Sequence, residues 1–211
     1  MEHSKIEYLL PEEIEKRSFE IITEELLKRN ISLPKEEELI TKRVIHTSAD
    51  FDYAETLCYS KGAVEILKEL IKNGADIVTD TNMALAGINK KALTKFGGEA
   101  HCFMADEEIA LLAKQRNVTR AAVSMEKAAK IEKPVVFAIG NAPTALIKLY
   151  EMIEKLDWKP AFIIGVPVGF VNVEAAKELI LKTNIPYIIN RGRKGGSNIA
   201  AAICNAVLYQ V

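Results

Sequence analysis

From residue 11 onward, apolar positions recur at helical intervals. Ile14, Ile21, Ile22 and Leu26 fall at that spacing in a segment opening on Pro11, Glu12 and Glu13. Proline is tolerated in a first helical turn, and acids suit the positive end of the helix dipole. Asn30 ends this helix. A second helix is predicted from Pro34, with Leu39, Ile40, Val44 and Ile45 on its apolar face and His46 near its C-terminal end. A third is predicted over 61–73, capped by Ser60 and closed by Gly74.

Past that glycine the pattern changes. Short apolar runs at 75–79, 99–104, 135–139, 161–166 and 187–190 are the candidate strands. Helical stretches at 90–96, 106–117, 119–130, 143–156 and 173–182 lie between them, and a last helix spans 197–209. Strands without polar alternation, separated by helices, imply a parallel sheet covered on both faces. The expectation is an α/β fold, a three-layer α/β/α sandwich on a five-stranded parallel sheet with the N-terminal helices packed against it. No loop looks like a linker, so residues 1–211 read as a single domain.

Composition narrows the function classes. The chain has 211 residues, 49% of them apolar, enough for a full core without disulfides or structural metal. Its 28 basic and 29 acidic side chains leave a net charge of -1, unlike a general nucleic-acid binder. A local cationic pocket remains open. Cys58, Cys102 and Cys204 are widely spaced with no CxxC, which suggests neither a disulfide framework nor a zinc knuckle. The first ten residues carry Glu2, Lys5 and Glu7 and lack the apolar core of a signal peptide. No apolar run approaches the ~20 residues of a membrane span. The chain reads as cytoplasmic, with neither membrane nor nucleic acid as partner.

In an open parallel sheet, ligands collect outside the carboxyl ends of the strands. Those ends read Asp80-Thr81-Asn82-Met83, Gly140-Asn141-Ala142-Pro143-Thr144, Gly165 to Phe170 with Gly169 inside, and Arg191 to Asn198. Two glycine-bearing turns open directly into a helix, offering backbone N–H groups and a positive dipole end to an anion. The last one adds Arg191, Arg193 and Lys194 beside Gly195 and Ser197. The plainer reading is a solvated basic loop. Arginine suits planar carboxylates, and Arg17, Arg43 and Arg120 add to the set, but charge alone leaves phosphate open. GxxxxGK[ST] is absent, and the first strand end carries no GxGxxG, so nucleotide sites are unsupported.

Acid–base candidates are few. His3 lies at the terminus, and His101 sits in a predicted buried strand. His46 ends an apolar helix, where a cation is favoured, and leads into Thr47, Ser48, Ala49 and Asp50. Asp50 and Asp52 read either as a carboxylate pair or as a polar turn. There is no HExxH and no GxSxG, so a protein-bound metal centre and a serine nucleophile are both unsupported.

Read together, these segments resemble the precorrin-8X methylmutases of the cobalamin (vitamin B12) pathway. The resemblance is carried by Arg17 to Ile22, Arg43 to Phe51, Gly140 to Leu146, Gly165 to Val171 and Arg191 to Ser197, in that order. It implies an isomerase that moves a methyl group from C11 to C12 of a corrin precursor, on a fold like the one above and as a homodimer. The family's acid–base histidine falls on His46 and its substrate-contacting serine on Ser18. The substrate would be a corrinoid tetrapyrrole. The stretch around His46 looks like the cobalt-dependent branch, with cobalt only as part of the substrate ring and no other cofactor. Arg17, Ser18, Thr47, Asn82, Arg120, Asn141, Gly169, Arg191, Arg193, Gly195 and Ser197 are then the expected substrate-binding set. Apolar ring edges would account for Met83, Pro167 and Phe170, although core packing accounts for Phe170 equally well. A carrier that binds tetrapyrroles without transforming them shares every feature except a task for His46.

Overall fold

The computed structural model describes residues 8–156 and 158–211, so the reading of His3 and of the first seven positions lies outside it. The chain opens with α1 (Pro11–Lys28), α2 (Glu38–Ser48), the single turn α3 (Tyr53–Thr56), β1 (Leu57–Tyr59) and α4 (Ala63–Lys72). Next come β2 (Asp76–Thr79), α5 (Asn82–Gly87), α6 (Lys90–Thr94), β3 (Ala100–His101), α7 (Glu107–Arg116) and α8 (Arg120–Ala128). Then β4 (Val135–Ile139), α9 (Pro143–Leu156), β5 (Phe162–Gly165), α10 (Val173–Leu181), β6 (Tyr187–Asn190) and α11 (Ser197–Leu208) complete it.

The sheet runs β1-β6-β5-β4-β2-β3. Five strands are parallel, and β1 adds an antiparallel edge against β6, with Leu57 opposite Asn190. That sixth strand corrects the five-stranded expectation. Leu57-Cys58-Tyr59 is half-buried and three residues long, too short to show a period. At the other edge, only Ala100 and His101 of the expected 99–104 strand pair. Phe103 leaves the ladder, stacking on His101 at 5.9 Å and lying under the Lys127 ammonium at 5.1 Å.

Successive strand residues point to opposite faces and build two cores. Ile77, Val136, Ala138, Phe162 and Ile164 meet residues of α1, α2, α4 and α11. Val78, Val135, Phe137, Ile139 and Ile163 meet α8, α9 and α10. The three-layer expectation is met. Helix starts are less faithful. Residue Ser60 does not cap α4, because its hydroxyl instead accepts the Tyr187 N–H at 2.9 Å. Likewise α2 begins at Glu38, four residues later than expected.

Chain order places the crevice. The strand after β2 is its outer neighbour β3, and the chain then returns to lay β4 on the other side of β2. Helices leave β2 and β4 toward opposite layers, which opens the sheet's carboxyl edge between them.

Candidate functional site

Four loops meet at that edge. Asp80, fully buried, directs both carboxylate oxygens across the crevice. One accepts the Gly140 N–H at 2.9 Å and the other those of Asn141, at 2.8 Å, and Ala142. Burial pushes its carboxyl above the ordinary range, and these backbone donors pull it back. The first glycine-bearing turn is therefore filled from within, and its N–H groups serve Asp80 rather than a bound anion. This corrects the expectation that both turns receive anions.

Beside it, the Thr81 and Ser197 hydroxyls lie 2.7 Å apart, and Thr81 also caps α5 by accepting the Ala84 N–H. A side chain at Gly140 would lie 2.7 Å from the Gly196 carbonyl oxygen, and one at Gly195 would lie 2.0 Å from that of Val166. Only glycine lets these loops touch. Further links run from Gly196 N–H to Val166 and from Gly169 N–H to the Arg193 carbonyl, at 2.9 and 3.1 Å.

Cations stand around this rim in exposed positions, each with an acid. Arg191 pairs with Glu178 at 3.5 Å, and Arg193 with Glu174 at 2.8 Å, its guanidinium also over the Phe170 ring. Lys194 is no plain surface charge. It bridges Asp50 at 2.6 Å and Asp52 at 2.5 Å. Burial works against charge on Asp50, but the Lys194 ammonium holds its carboxyl below the usual range. Asp50 and Asp52 do act as a pair, on an ammonium rather than on a proton.

Asn82, Asn141 and Arg120 are exposed at the starts of α5, α9 and α8. The Thr119 hydroxyl, next to Arg120, donates to Thr144 at 2.9 Å and so ties α8 to α9. Met83 and Phe170 are 72% and 83% exposed, which excludes the core-packing account of Phe170. Pro167, expected at a ring edge, is instead buried.

The remaining candidates form a second group on α1 and α2. His46 is exposed in the last turn of α2, its ring 5.7 Å from that of Phe19. Arg43 lies over the other partner of this array, 4.8 Å from the Phe19 centroid, and bonds Glu15 at 2.6 Å. That bond holds the Glu15 carboxyl below its ordinary range, and the charge of His46 acts in the same direction. Ser18 and Thr47 turn their hydroxyls back to the carbonyls of Ile14 and Arg43, while Arg17 faces Glu20 and Glu24. What joins this group to the rim is the segment after His46. Lys194 grips Asp50 and Asp52, the Thr56 hydroxyl donates to Asn190 at 2.7 Å, and Arg191 N–H donates to the Thr56 carbonyl.

Sequence reasoning passed over Asp80, Asn190 and Lys177, all fully buried under the rim. Asp80 stood at a strand end in plain view, but an acid did not fit a search for cations. Nothing marks Lys177, one lysine among many, except its place in the apolar stripe of α10. Burial raises the Cys204 thiol to about 12, as inert packing requires. Among the described residues, no group of three His, Cys, Asp or Glu side chains is placed to hold a metal ion.

A sequence model of the family described as precorrin-8X methylmutase matches residues 13–210. The chain belongs to the precorrin-8X methylmutase family. Cobalt-precorrin-8 methylmutase from Priestia megaterium is 42% identical over 93% of this chain and 87% of its own. The protein of that name from Leptospira interrogans is also 42% identical, over 92% and 91%. The solved precorrin-8X methylmutase from Thermus thermophilus superimposes with a TM-score of 0.83 at 34% identity, over 93% of this chain and 96% of that one. As a methylmutase the chain is an isomerase of cobalamin biosynthesis, and the matched span takes in both the rim loops and the α1–α2 pair.

Proposed function

We propose that this methylmutase acts on cobalt-precorrin-8 and moves the methyl group from C11 to C12 to give cobyrinate, with His46 as the general acid and base. One observation carries the choice of the cobalt form: the two relatives at 42% identity act, by name, on cobalt-precorrin-8. Cobalt enters with the substrate ring, and no resident cofactor is part of the proposal.

A 1,5-sigmatropic methyl shift is unimolecular and needs no nucleophile, second substrate or redox partner. The protein's tasks are to hold a large flat ring and to move a proton. General acid catalysis contributes about 10²–10⁴-fold, or roughly 3–5 kcal/mol, and is best done by a group titrating near the working pH. Histidine is such a group, and the exposure of His46 beside Phe19 supports giving it this role. Ser18 and Thr47 would contact the substrate from the same two helices. Exposed Met83 and Phe170 suit the apolar ring. Arg17, Arg191 and Arg193, exchanging protein acids for substrate ones, and Arg120 suit its carboxylate side chains, while Asn82, Asn141, Gly169, Gly195 and Ser197 would line the approach.

The enzyme is proposed to work in the cytoplasm as a homodimer. Leu10, Ile14 and Ile21 of the α1 segment are 58%, 53% and 46% exposed, an apolar stripe suited to a second copy. The test is anaerobic incubation with cobalt-precorrin-8, followed by absorption spectroscopy. The methyl shift changes ring conjugation, so conversion to the cobyrinate spectrum is expected. A spectrum showing binding without conversion would identify a carrier instead.

A further inference from the structure

Lys177 lies in the middle of α10, and its side chain is fully buried. A lysine in that position must spend its charge inside the protein, and this one spends it on the rim loop. Its ammonium donates to the Gly192 carbonyl at 2.7 Å and to the Lys194 carbonyl at 2.9 Å. The intervening Arg193 carbonyl accepts the Gly169 N–H. The Asn190 amide donates to the Arg191 carbonyl at 3.1 Å and to the Lys194 carbonyl at 2.9 Å. Every carbonyl from 191 to 194 is thus held by an internal donor.

The matching N–H groups are not. Among the described residues, those of Gly192, Arg193, Lys194 and Gly195 find no hydrogen-bond acceptor, in a stretch whose first three residues are exposed. A loop with its carbonyls tied inward and consecutive N–H groups unpaired is a concavity for anions, and a buried cation behind it strengthens that preference. An apolar residue at 177 would leave the Gly192 carbonyl without its donor and the Lys194 carbonyl with the Asn190 amide alone, and the loop would be free to turn them toward the anion.

We infer that Lys177 is a positioning residue, which fixes the 191–195 loop so that its backbone N–H groups receive a carboxylate of the substrate. This rests on the corrinoid reading above. The residue acts through the loop and leaves the reacting carbons alone, so its loss falls on binding rather than on chemistry.

The experiment uses the full-length enzyme and two readouts. In the first, succinate, a dicarboxylate probe, is titrated into wild-type and Lys177→Met protein and followed by amide proton and nitrogen resonances. The wild type is expected to show saturable downfield shifts at residues 192–195, and the variant to lose them. In the second, Lys177→Met is expected to raise KM for cobalt-precorrin-8 about tenfold with kcat within twofold. Lys177→Gln, which keeps one donor amide, should fall between; if the Met variant does not fold, the Gln variant is judged alone by the same KM-against-kcat split. Absence of wild-type shifts at 192–195, or an unchanged KM in a folded variant, overturns the assignment. If the enzyme fails to convert cobalt-precorrin-8 while the succinate shifts persist, the activity reading falls and the role of Lys177 stands.

Discussion

Lys177 and Asp80 carry opposite charges to the same buried level beneath the rim, and backbone groups alone hold each of them. Lys177 donates to two carbonyls, while Asp80 accepts from three N–H groups. Burial lowers the Lys177 ammonium from the ordinary 10.5 to about 8. Between those values the unfolded chain binds more protons than the folded one, so this group's contribution to stability rises with pH. Wild type should therefore gain on Lys177→Met by on the order of 3 kcal/mol between about pH 8 and 10.5, read from paired denaturant melts. A constant difference across that window would show that the amine is not buried as described. Asp80 gives a second test. In Asp80→Asn, one acceptor oxygen becomes a donor facing N–H groups, which should cost about 3 kcal/mol in chemical denaturation because charge-assisted buried bonds are lost. A cost within 0.5 kcal/mol would deny Asp80 its role in joining the two loops.

At the level of elements, most of what could be read in the sequence followed length, with the five-residue α6, expected at 90–96 and found at Lys90–Thr94, as an exception. The helices α1, α4, α7, α8, α9, α10 and α11 and the strands β2, β4, β5 and β6 are long or apolar enough to impose a period, and they lie within a few residues of expectation. β1 and α5 are three and six residues long, and tertiary pairing rather than local pattern defines them. Ser60 looked like a cap because serine often is one, but strand pairing to Tyr187 claimed its hydroxyl. The rim loops were legible because glycine and cations coincide at strand ends. Their internal wiring was not, since it depends on which buried side chain reaches which backbone group. Gly195 belongs to that wiring. Gly195→Ala would set a methyl 2.0 Å from the Val166 carbonyl oxygen, and the loop should shift at a cost of about 1–3 kcal/mol. The same substitution should weaken binding of the corrinoid product in a direct titration, and unchanged affinity with unchanged stability would contradict this packing.

Across the whole molecule, the carboxyl edge of the sheet and the α1–α2 pair are the two halves of the working region proposed above. The Lys194 bridge to Asp50 and Asp52 and the Thr56 bond to Asn190 fasten the segment after His46 to the loop that Lys177 supports. The sheet thus supplies an edge of acid-paired cations, and the helical layer brings the His46 imidazole on a short tether. The most direct measurement compares wild type with His46→Ala in single-turnover absorption spectra after anaerobic mixing with cobalt-precorrin-8. The substitution lies at an exposed helix end, so the variant should fold and bind the coloured ring as wild type does. Conversion to cobyrinate should then slow by about 10²-fold or more. Conversion at the wild-type rate would contradict the account, because no proton from His46 would then be needed.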